Sequence, residues 1–273
     1  MTEVVLTLAS GRQVAFDVAC DLNGPMYFVF SVRKCGSSIF NDICRTIGES
    51  NRRQFVPVGD TFFWNNVEIS EYVNDPALLD LLRPGNVYGG FRDMPRILLS
   101  SEIFRRSPKL LFVRDPRDAL VSEFFSNAYS HPLPDENAGT TGMRGRLLRQ
   151  RKRALSAGID VTVLRRSRAM SRTMLGYAPI VGWDTTTVLR YEDYIFSKRA
   201  LIEAIACAFN WSTDEELIGK ILAWADVRPE KEEPKAFVRK VTPGDHREKL
   251  EPMTIVQLNN KLAKAMELFG YAP

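Results

Sequence analysis

The fold of this chain is decided by residues 26–39, which read MYFVFSVRKCGSSI. The segment opens with an apolar run that has the length and composition of a strand buried on both faces, as in a parallel sheet. A helix should follow Gly36, because isoleucine recurs at every fourth position over 39–47 and Gly48 suits a C-terminal cap. Residues 26–39 therefore predict a strand, a short loop and a helix.

Strand and helix patterns alternate along the rest of the chain. Further strands are predicted at 54–58, 87–91, 110–113 and 187–190. Helices are predicted near 76–82, 97–104, 117–130, 142–157, 160–177, 197–209, 213–225 and 253–269. An N-terminal β-hairpin is predicted with its turn at Ser10-Gly11. This order predicts an α/β fold, a doubly wound, mainly parallel sheet flanked by helices, in a single domain spanning 1–273.

The composition is that of a globular chain with a large core. Of the 273 residues 45% are apolar, and no segment approaches the roughly 20 uninterrupted apolar residues that a membrane span needs. The N-terminus lacks the basic and then apolar pattern of a signal peptide. The four cysteines show no paired metal-ligand spacing and are predicted to be reduced thiols. These features predict a soluble, cytoplasmic protein.

Charge is distributed unevenly along the chain. The net charge is only +4, yet residues 144–172 contain ten basic residues and a single acidic one, Asp160. Such a run is typical of a solvated helix face, and it also suits a surface that faces an anionic ligand or a membrane. Because no aromatic residues interleave the basic ones, the run is a weak signal for nucleic acid.

The loop after the strand at residue 31 has the residues of an anion site. Gly36, Ser37 and Ser38 at a helix N-terminus would direct backbone N–H groups and the positive end of the helix dipole to one point, and Lys34 adds a cation. The alternative is that the two serines merely cap the helix. The loop is not a Walker A motif, because its lysine precedes the glycine, and this weakens the case for a Mg²⁺-dependent kinase.

A second segment has the same strand-to-helix form. Residues 109–122 read KLLFVRDPRDALVS, with a proline suited to the first helical turn. Arg114 then stands at the carboxyl end of a strand, where open α/β sheets bind their ligands and where an arginine is well placed for an anion. The alternative is a set of local salt bridges among the arginines and aspartates of 114–118.

Both segments resemble the sulfotransferases that use 3′-phosphoadenosine 5′-phosphosulfate (PAPS), which have a P-loop-like α/β fold. Residues 33–39 match the family's Pro-Lys-Ser-Gly-Thr-Thr-Trp loop with substitutions, among them Ile39 in place of the tryptophan that packs on adenine. The resemblance implies that Lys34 reaches the sulfuryl group and the bridging oxygen. The loop residues implied to hold the 5′-phosphate are Cys35, Gly36, Ser37 and Ser38.

The rest of the resemblance concerns the adenosine and its 3′-phosphate. Residues 114–118, with Ser122 eight positions after Arg114, match the family's 3′-phosphate motif. Tyr191 begins a Tyr-Glu-Asp that resembles the family's adenine contact. Residues 237–245 resemble its Phe-x-Arg-Lys-Gly loop, with valine in place of the glycine. The residues of that loop implied to bind the nucleotide are Phe237, Arg239 and Lys240, whereas His246 is interpreted as structural.

The reaction implied by the resemblance needs a base but no metal. Many cytosolic members carry a histidine in a Lys-x-His-x-Pro segment, and aligning residues 89–95, GGFRDMP, on the proline puts Asp93 in its place. Asp93 is therefore the first candidate for the base. The alternative is that Asp93 forms a structural pair with Arg92 or Arg96. His131 is the second candidate for the base.

These observations favour a sulfotransferase that moves a sulfuryl group from PAPS to a hydroxyl acceptor and releases 3′-phosphoadenosine 5′-phosphate (PAP). The acceptor is interpreted as a glycan, a glycolipid or a small metabolite, and the basic run favours an anionic one. Two alternatives stay open. One is a P-loop-type nucleotide or nucleoside kinase, which strict Mg²⁺ and ATP dependence would reveal. The other is a noncatalytic module that binds PAP or nucleic acid. The sequence leaves the oligomeric state open.

Overall fold

The structure, a computed structural model, describes residues 2–131, 133, 141–229, 231–233, 235–236 and 238–273. The strands are β1 Thr2–Thr7, β2 Gln13–Val18, β3 Tyr27–Ser31, β4 Phe55–Val56, β5 Val87–Phe91, β6 Lys109–Val113 and β7 Thr186–Arg190. The helices are α1 Ser37–Ser50, α2 Val58–Trp64, α3 Ile69–Tyr72, α4 Glu102–Arg106, α5 Pro116–Phe125, α6 Thr141–Gly176, α7 Tyr191–Tyr194, α8 Lys198–Phe209, α9 Glu215–Ala225, α10 Asp245–Lys249 and α11 Pro252–Leu268. Short 3₁₀ helices span Pro76–Leu81 and Arg96–Ser100, and a π-helical turn spans Ser126–Ser130.

Five parallel strands form the central sheet, in the order β4-β5-β3-β6-β7. After β3 the chain passes to the edge strand β4, returns through β5, and only then enters β6 on the other side of β3. The winding therefore reverses at the carboxyl end of β3, which is where open α/β sheets bind ligands. The predicted fold class is confirmed, and so is the antiparallel N-terminal hairpin of β1 and β2.

Aromatic side chains fix β3 in the core. All of its residues are buried, as the apolar run predicts. Phe28 lies 4.8 Å from the ring of Phe104 and 5.5 Å from that of Tyr88, centroid to centroid. Burying a side chain of this size contributes about 1.5–3 kcal/mol. The loop that follows β3 therefore starts from a rigid support.

The limits of several predicted elements differ from the structure, and the helices predicted at 97–104 and 117–130 are each divided in two. Helix α1 does not end at Gly48 but continues to Ser50, with Asn51 as its C-cap. Gly48 lies under Trp211 instead. The Cη2 atom of Trp211 is 3.4 Å from the position that a Cβ atom on residue 48 would occupy. The strand predicted at 54–58 is shorter, because helix α2 already begins at Val58.

The two helices predicted at 142–157 and 160–177 form one segment, α6, that is broken at Gly158. Gly158 has φ 74° and ψ 173°, a conformation that is nearly restricted to glycine. The predicted break between the two helices is therefore confirmed. No helix within the described residues is both long enough and apolar enough to span a membrane.

The chain divides into two compact units. The first, here called the sheet unit, comprises Met1–Val113 and Gly176–Asp226 and contains all seven strands. The second, the helical unit, comprises Arg114–Leu175 and Val227–Pro273 and contains α5, most of α6, α10 and α11. That the whole chain acts as a single domain stays a prediction.

Candidate functional site

The loop after β3 makes a sharp turn in the sheet unit. Lys34 and Gly36 both have left-handed backbones, with φ 64° and φ 81°. Glycine adopts this conformation freely, whereas an L-residue with a Cβ atom pays about 1–2 kcal/mol for it. Such strain persists only where the surrounding structure imposes it, and it is concentrated at functional sites. The loop is therefore held in a fixed shape that its own sequence does not favour.

The turn ends at the N-terminus of α1. Gly36 is the N-cap residue, and Ser37 and Ser38 lie inside the first helical turn. The interpretation of the serines as simple N-cap residues is therefore wrong. The N–H groups of a first helical turn have no partners within the helix, and they face the same direction as the positive end of the dipole. This is the arrangement that binds phosphate and sulfate groups in proteins.

The side chain of Cys35 points into the protein. It is fully buried, and its Sγ lies 2.7 Å from the carbonyl oxygen of Val32 and 3.4 Å from that of Phe112. These contacts fasten the loop to the end of β3 and to β6. Any contact of Cys35 with a nucleotide would come from its backbone N–H group.

Tyr191, the predicted adenine contact, lies against the loop. It is the first residue of α7, directly after β7. Its ring atom Cε2 is 3.4 Å from where a Cβ on Gly36 would stand, and its ring lies 6.3 Å from that of Phe112, centroid to centroid. Gly36 thus serves the left-handed turn, and the Tyr191 ring lies against it. The sheet unit brings the two matched segments together.

Asp93, the first candidate for the base, also lies beside the loop. Its Oδ2 is 3.0 Å from Nη2 of Arg33, and both side chains are partly exposed, so solvent or a substrate can reach them. The suggested structural pair with Arg92 is not the one formed, because Arg92 pairs with Asp60 at 3.0 Å. The contact with Arg33 was missed from the sequence, since no periodicity relates two residues sixty positions apart.

In the helical unit, the motif that follows β6 contains a structural arginine. Asp115 is the N-cap of α5 and accepts a hydrogen bond from the backbone N–H of Arg117 at 2.9 Å. The guanidinium of Arg117 donates back to both oxygens of Asp115, and also to Asn259 and to the carbonyl oxygen of Ala272. The alternative of a local salt bridge therefore holds for Arg117, which anchors α5 to α11 and to the C-terminus.

Asp118 holds the start of α10 against α5. Its carboxylate accepts hydrogen bonds from the backbone N–H groups of Gly244 and His246, and its Oδ1 is 2.6 Å from Nδ1 of His246. Burial alone would raise the pKa of Asp118, but the hydrogen bond from the imidazole, the charge of Arg114 and the two backbone bonds together lower that pKa to about 2. His246 is buried and bonded to Asp118, as expected of a structural residue.

Arg239 and Lys240 already have carboxylate partners. The Arg239 guanidinium pairs with Glu232 and Asp245. Lys240 pairs with Asp245 at 3.2 Å and with Glu248 at 2.6 Å. Burial alone would lower the pKa of Lys240, but these two carboxylates raise it above its usual value. The two cations predicted to bind a phosphate are thus neutralised in this structure.

Arg239 nevertheless lies against α5, the helix that carries Ser122. Its guanidinium carbon is 4.0 Å from the ring centroid of Phe125, a cation–π contact that the sequence did not predict. Phe125 is three residues after Ser122, and residues three apart lie on the same side of a helix. Arg114, which precedes the same helix, is buried with 4% of its surface exposed. The residues that the resemblance relates to the 3′-phosphate and that the structure describes, Arg114, Ser122, Arg239 and Lys240, all belong to the helical unit.

Two predicted site residues remain. His131 follows the π-helical turn, where its backbone N–H donates to Ser126 at 2.7 Å and its carbonyl oxygen accepts from Arg151 at 3.1 Å. His131 belongs to the helical unit, whereas Lys34 and Asp93 belong to the sheet unit. Phe237 lies outside the described residues.

Comparison with known proteins supports the fold. No protein-family model matches the chain, and no curated protein matches its sequence. Among solved structures, a mouse sulfotransferase complexed with PAP has a TM-score of 0.57 and 12% identity, over 94% of this chain and 91% of that one. Retinol dehydratase in a complex with retinol and PAP has a TM-score of 0.53 and 15% identity, over 97% and 90%. The chain has the sulfotransferase fold, and the resemblance drawn from its motifs is confirmed at that level.

Proposed function

We propose that the chain is a PAPS-dependent sulfotransferase that transfers a sulfuryl group to a hydroxyl acceptor. The observation that carries the proposal is the strained turn at Lys34 and Gly36, with Tyr191 packed against it at the start of α1. Two separate segments that match the family's motifs meet there, at the point where the sheet reverses its winding. Similarity to folds solved with PAP supports the same conclusion.

In this proposal the 5′-phosphosulfate of the donor is bound by the loop and the first turn of α1. Their backbone N–H groups are already oriented and need not move during the reaction. Fixed dipoles of this kind stabilise the charge that develops in a transition state. Lys34 reaches the bridging oxygen and neutralises charge on the leaving nucleotide. Tyr191 contacts the adenine.

The transfer itself needs alignment more than covalent chemistry. The acceptor oxygen attacks sulfur, the bond from sulfur to the bridging oxygen breaks, and PAP leaves. The acceptor's proton passes to Asp93, whose carboxylate Arg33 holds beside the loop. His131 is the alternative base.

The 3′-phosphate is bound in this proposal by Arg114, Ser122, Arg239 and Lys240. Because Glu232 and Asp245 pair with Arg239 here, the phosphate must compete with these carboxylates for the guanidinium. A phosphate that carries close to two negative charges attracts an arginine more strongly than a single carboxylate does. The acceptor is proposed to be a glycan, a glycolipid or a small metabolite with a free hydroxyl group.

The test is a calorimetric titration with PAP. We expect the wild-type chain to bind it without added Mg²⁺, and Ser122→Ala to weaken binding about tenfold to a hundredfold, the range for one hydrogen bond to a charged group. Arg114→Lys should weaken it further, because lysine cannot bind a phosphate in the bidentate manner of arginine. Arg199→Ala is the matched control, since Arg199 is an exposed residue paired with Glu215 in the sheet unit.

Several results of this titration would contradict the proposal. Wild-type chain that ignores PAP would refute it outright. Binding of ATP that depends strictly on Mg²⁺ would favour the kinase alternative instead. Circular-dichroism melting curves of each variant distinguish lost binding from lost folding, which matters for the buried Arg114.

A further inference from the structure

The outer side of α6 carries cations that the proposed reaction does not use. Six basic side chains of this helix are exposed, and they are Arg149, Lys152, Arg153, Arg165, Arg168 and Arg172. Within the part of the chain that the structure describes, none of the six forms an ion pair or a side-chain hydrogen bond. They are here called the α6 basic surface.

Other charged side chains of the same helix point elsewhere. Arg151 donates to the carbonyl oxygens of Asn127 and His131, and Arg166 pairs with Glu123 of α5 at 2.7 Å. The single acidic residue of the segment does not neutralise the surface either, because the Oδ1 of Asp160 accepts the backbone N–H of the residue that precedes α11. The sequence alone could not separate the inward arginines from the outward ones.

The spacing of the six cations concentrates their charge. Arg165, Arg168 and Arg172 are three and four positions apart, so they lie along one side of the second half of α6. Like charges so close together repel one another and do not stabilise the helix. The field that they produce attracts anions over a distance of about 8 Å at physiological salt.

Exposed apolar side chains accompany these cations. Leu148, Leu155 and Val161 have 44%, 51% and 41% of their surface exposed. Leu148 and Leu155 lie four and three positions from Lys152, on the same stripe of the first half of α6. The opposite side of this half is anchored, since Ala154 packs in a buried cluster with Phe124 of α5. In the first half of α6 the exposed leucines therefore lie beside exposed cations on a supported helix, and in the second half Val161 accompanies the exposed arginines.

We propose that the α6 basic surface docks the chain on an anionic lipid bilayer. A basic helix face with adjacent leucines suits the membrane interface, where apolar side chains enter the boundary of headgroups and acyl chains. The long side chains of lysine and arginine meanwhile reach the lipid phosphates. A soluble polyanion would use the cations but not the leucines. None of the six cations is among the residues of the proposed sulfotransferase site, so the two proposals stand or fall independently.

The charge requirement is tested by co-sedimentation with lipid vesicles. We expect the full chain to bind vesicles of phosphatidylcholine and phosphatidylglycerol, to ignore vesicles of phosphatidylcholine alone, and to be released by sodium chloride. Arg165→Glu/Arg168→Glu should weaken binding by more than about thirtyfold, since the loss of two basic residues near an anionic surface, at about 1 kcal/mol each, already gives that factor and each reversal adds repulsion. The matched control is Lys261→Glu/Lys264→Glu, which makes the same charge change on exposed positions of α11.

The role of the leucines separates a membrane from a soluble polyanion. Leu148→Ser/Leu155→Ser should weaken vesicle binding about tenfold or more, because two buried side chains are lost, and should leave binding to double-stranded DNA or dextran sulfate unchanged. Equal losses for the α6 and α11 charge reversals would refute a specific surface. Tight binding of the soluble polymers, with vesicle binding insensitive to the leucine substitutions, would show that the partner of the α6 basic surface is a soluble polyanion and not a membrane. Failure to bind anionic vesicles at all would overturn the proposal.

Discussion

The two basic regions that we propose to bind the donor nucleotide differ in how their charge is held. In the sheet unit the loop at 32–36 presents backbone N–H groups in a strained turn, fixed before any ligand arrives. In the helical unit Arg239 and Lys240 are held by carboxylates that a phosphate must displace. The N–H donors of the first region are already oriented for a ligand, whereas the cations of the second region are neutralised by carboxylates. We therefore expect substitutions in the first to affect the reaction rate and those in the second to affect nucleotide affinity.

The largest effect is expected at Asp93. Asp93→Asn removes the proposed base but keeps the shape of the side chain, so kcat should fall by a factor of about 10²–10⁴. PAP affinity, measured by calorimetry on the same preparation, should change little. His131→Asn is the comparison variant. A loss of kcat with His131→Asn, together with a normal rate for Asp93→Asn, would transfer the role of base to the histidine.

The next effect concerns the stability of the helical unit. The pKa of Asp118 is lowered from 3.8 to about 2, so its stabilising contribution is complete above pH 3.8 and is lost as the pH falls through 2. Asp118→Asn should lower the free energy of unfolding at pH 7 by about 2 kcal/mol. The difference from wild type should shrink as the pH approaches 2, as measured by urea denaturation at each pH.

Asp193→Asn provides the control for that measurement. Asp193 forms an exposed pair with Arg190, at 3.1 Å, and such pairs contribute at most about 1 kcal/mol. A difference between Asp118→Asn and wild type that stays constant down to pH 2 would contradict the role of the imidazole and backbone hydrogen bonds at Asp118.

The smallest effect concerns Arg239 and its carboxylate partners. Glu232→Gln removes one carboxylate from Arg239, so affinity for PAP should rise about two- to fivefold, the free energy of one partly exposed ion pair. Adenosine 5′-phosphosulfate, which lacks the 3′-phosphate, is the control ligand. Its affinity should stay the same, and an equal gain for both ligands would show that Arg239 does not face the 3′-phosphate.

Local patterns in the sequence predicted most of the strands and helices. The buried strand at 27–31, the break within α6 and the helix starting after Gly36 all follow from apolar periodicity and glycine positions, which are properties of short segments. The errors fall at element ends and in short helices, since α2, α3, α7 and α10 were not predicted and the helix predicted at 97–104 is a 3₁₀ helix followed by α4. Gly48 did not end α1, which continues to Ser50. An element's end depends on what packs against it, and periodicity carries no such information.

In the candidate site, too, local features were predicted from the sequence and contacts between distant residues were not. The sequence by itself determined which residues form the loop and the first turns of α1, from Lys34 to Ser38, and of α5, from Arg114 to Ser122. Neighbours in the chain remain neighbours in a loop or a helical turn. Only the tertiary structure decided that Arg33 holds Asp93 and that carboxylates neutralise Arg239. Ion pairs form between side chains that packing brings within about 4 Å, and that proximity is not written in the spacing of the residues.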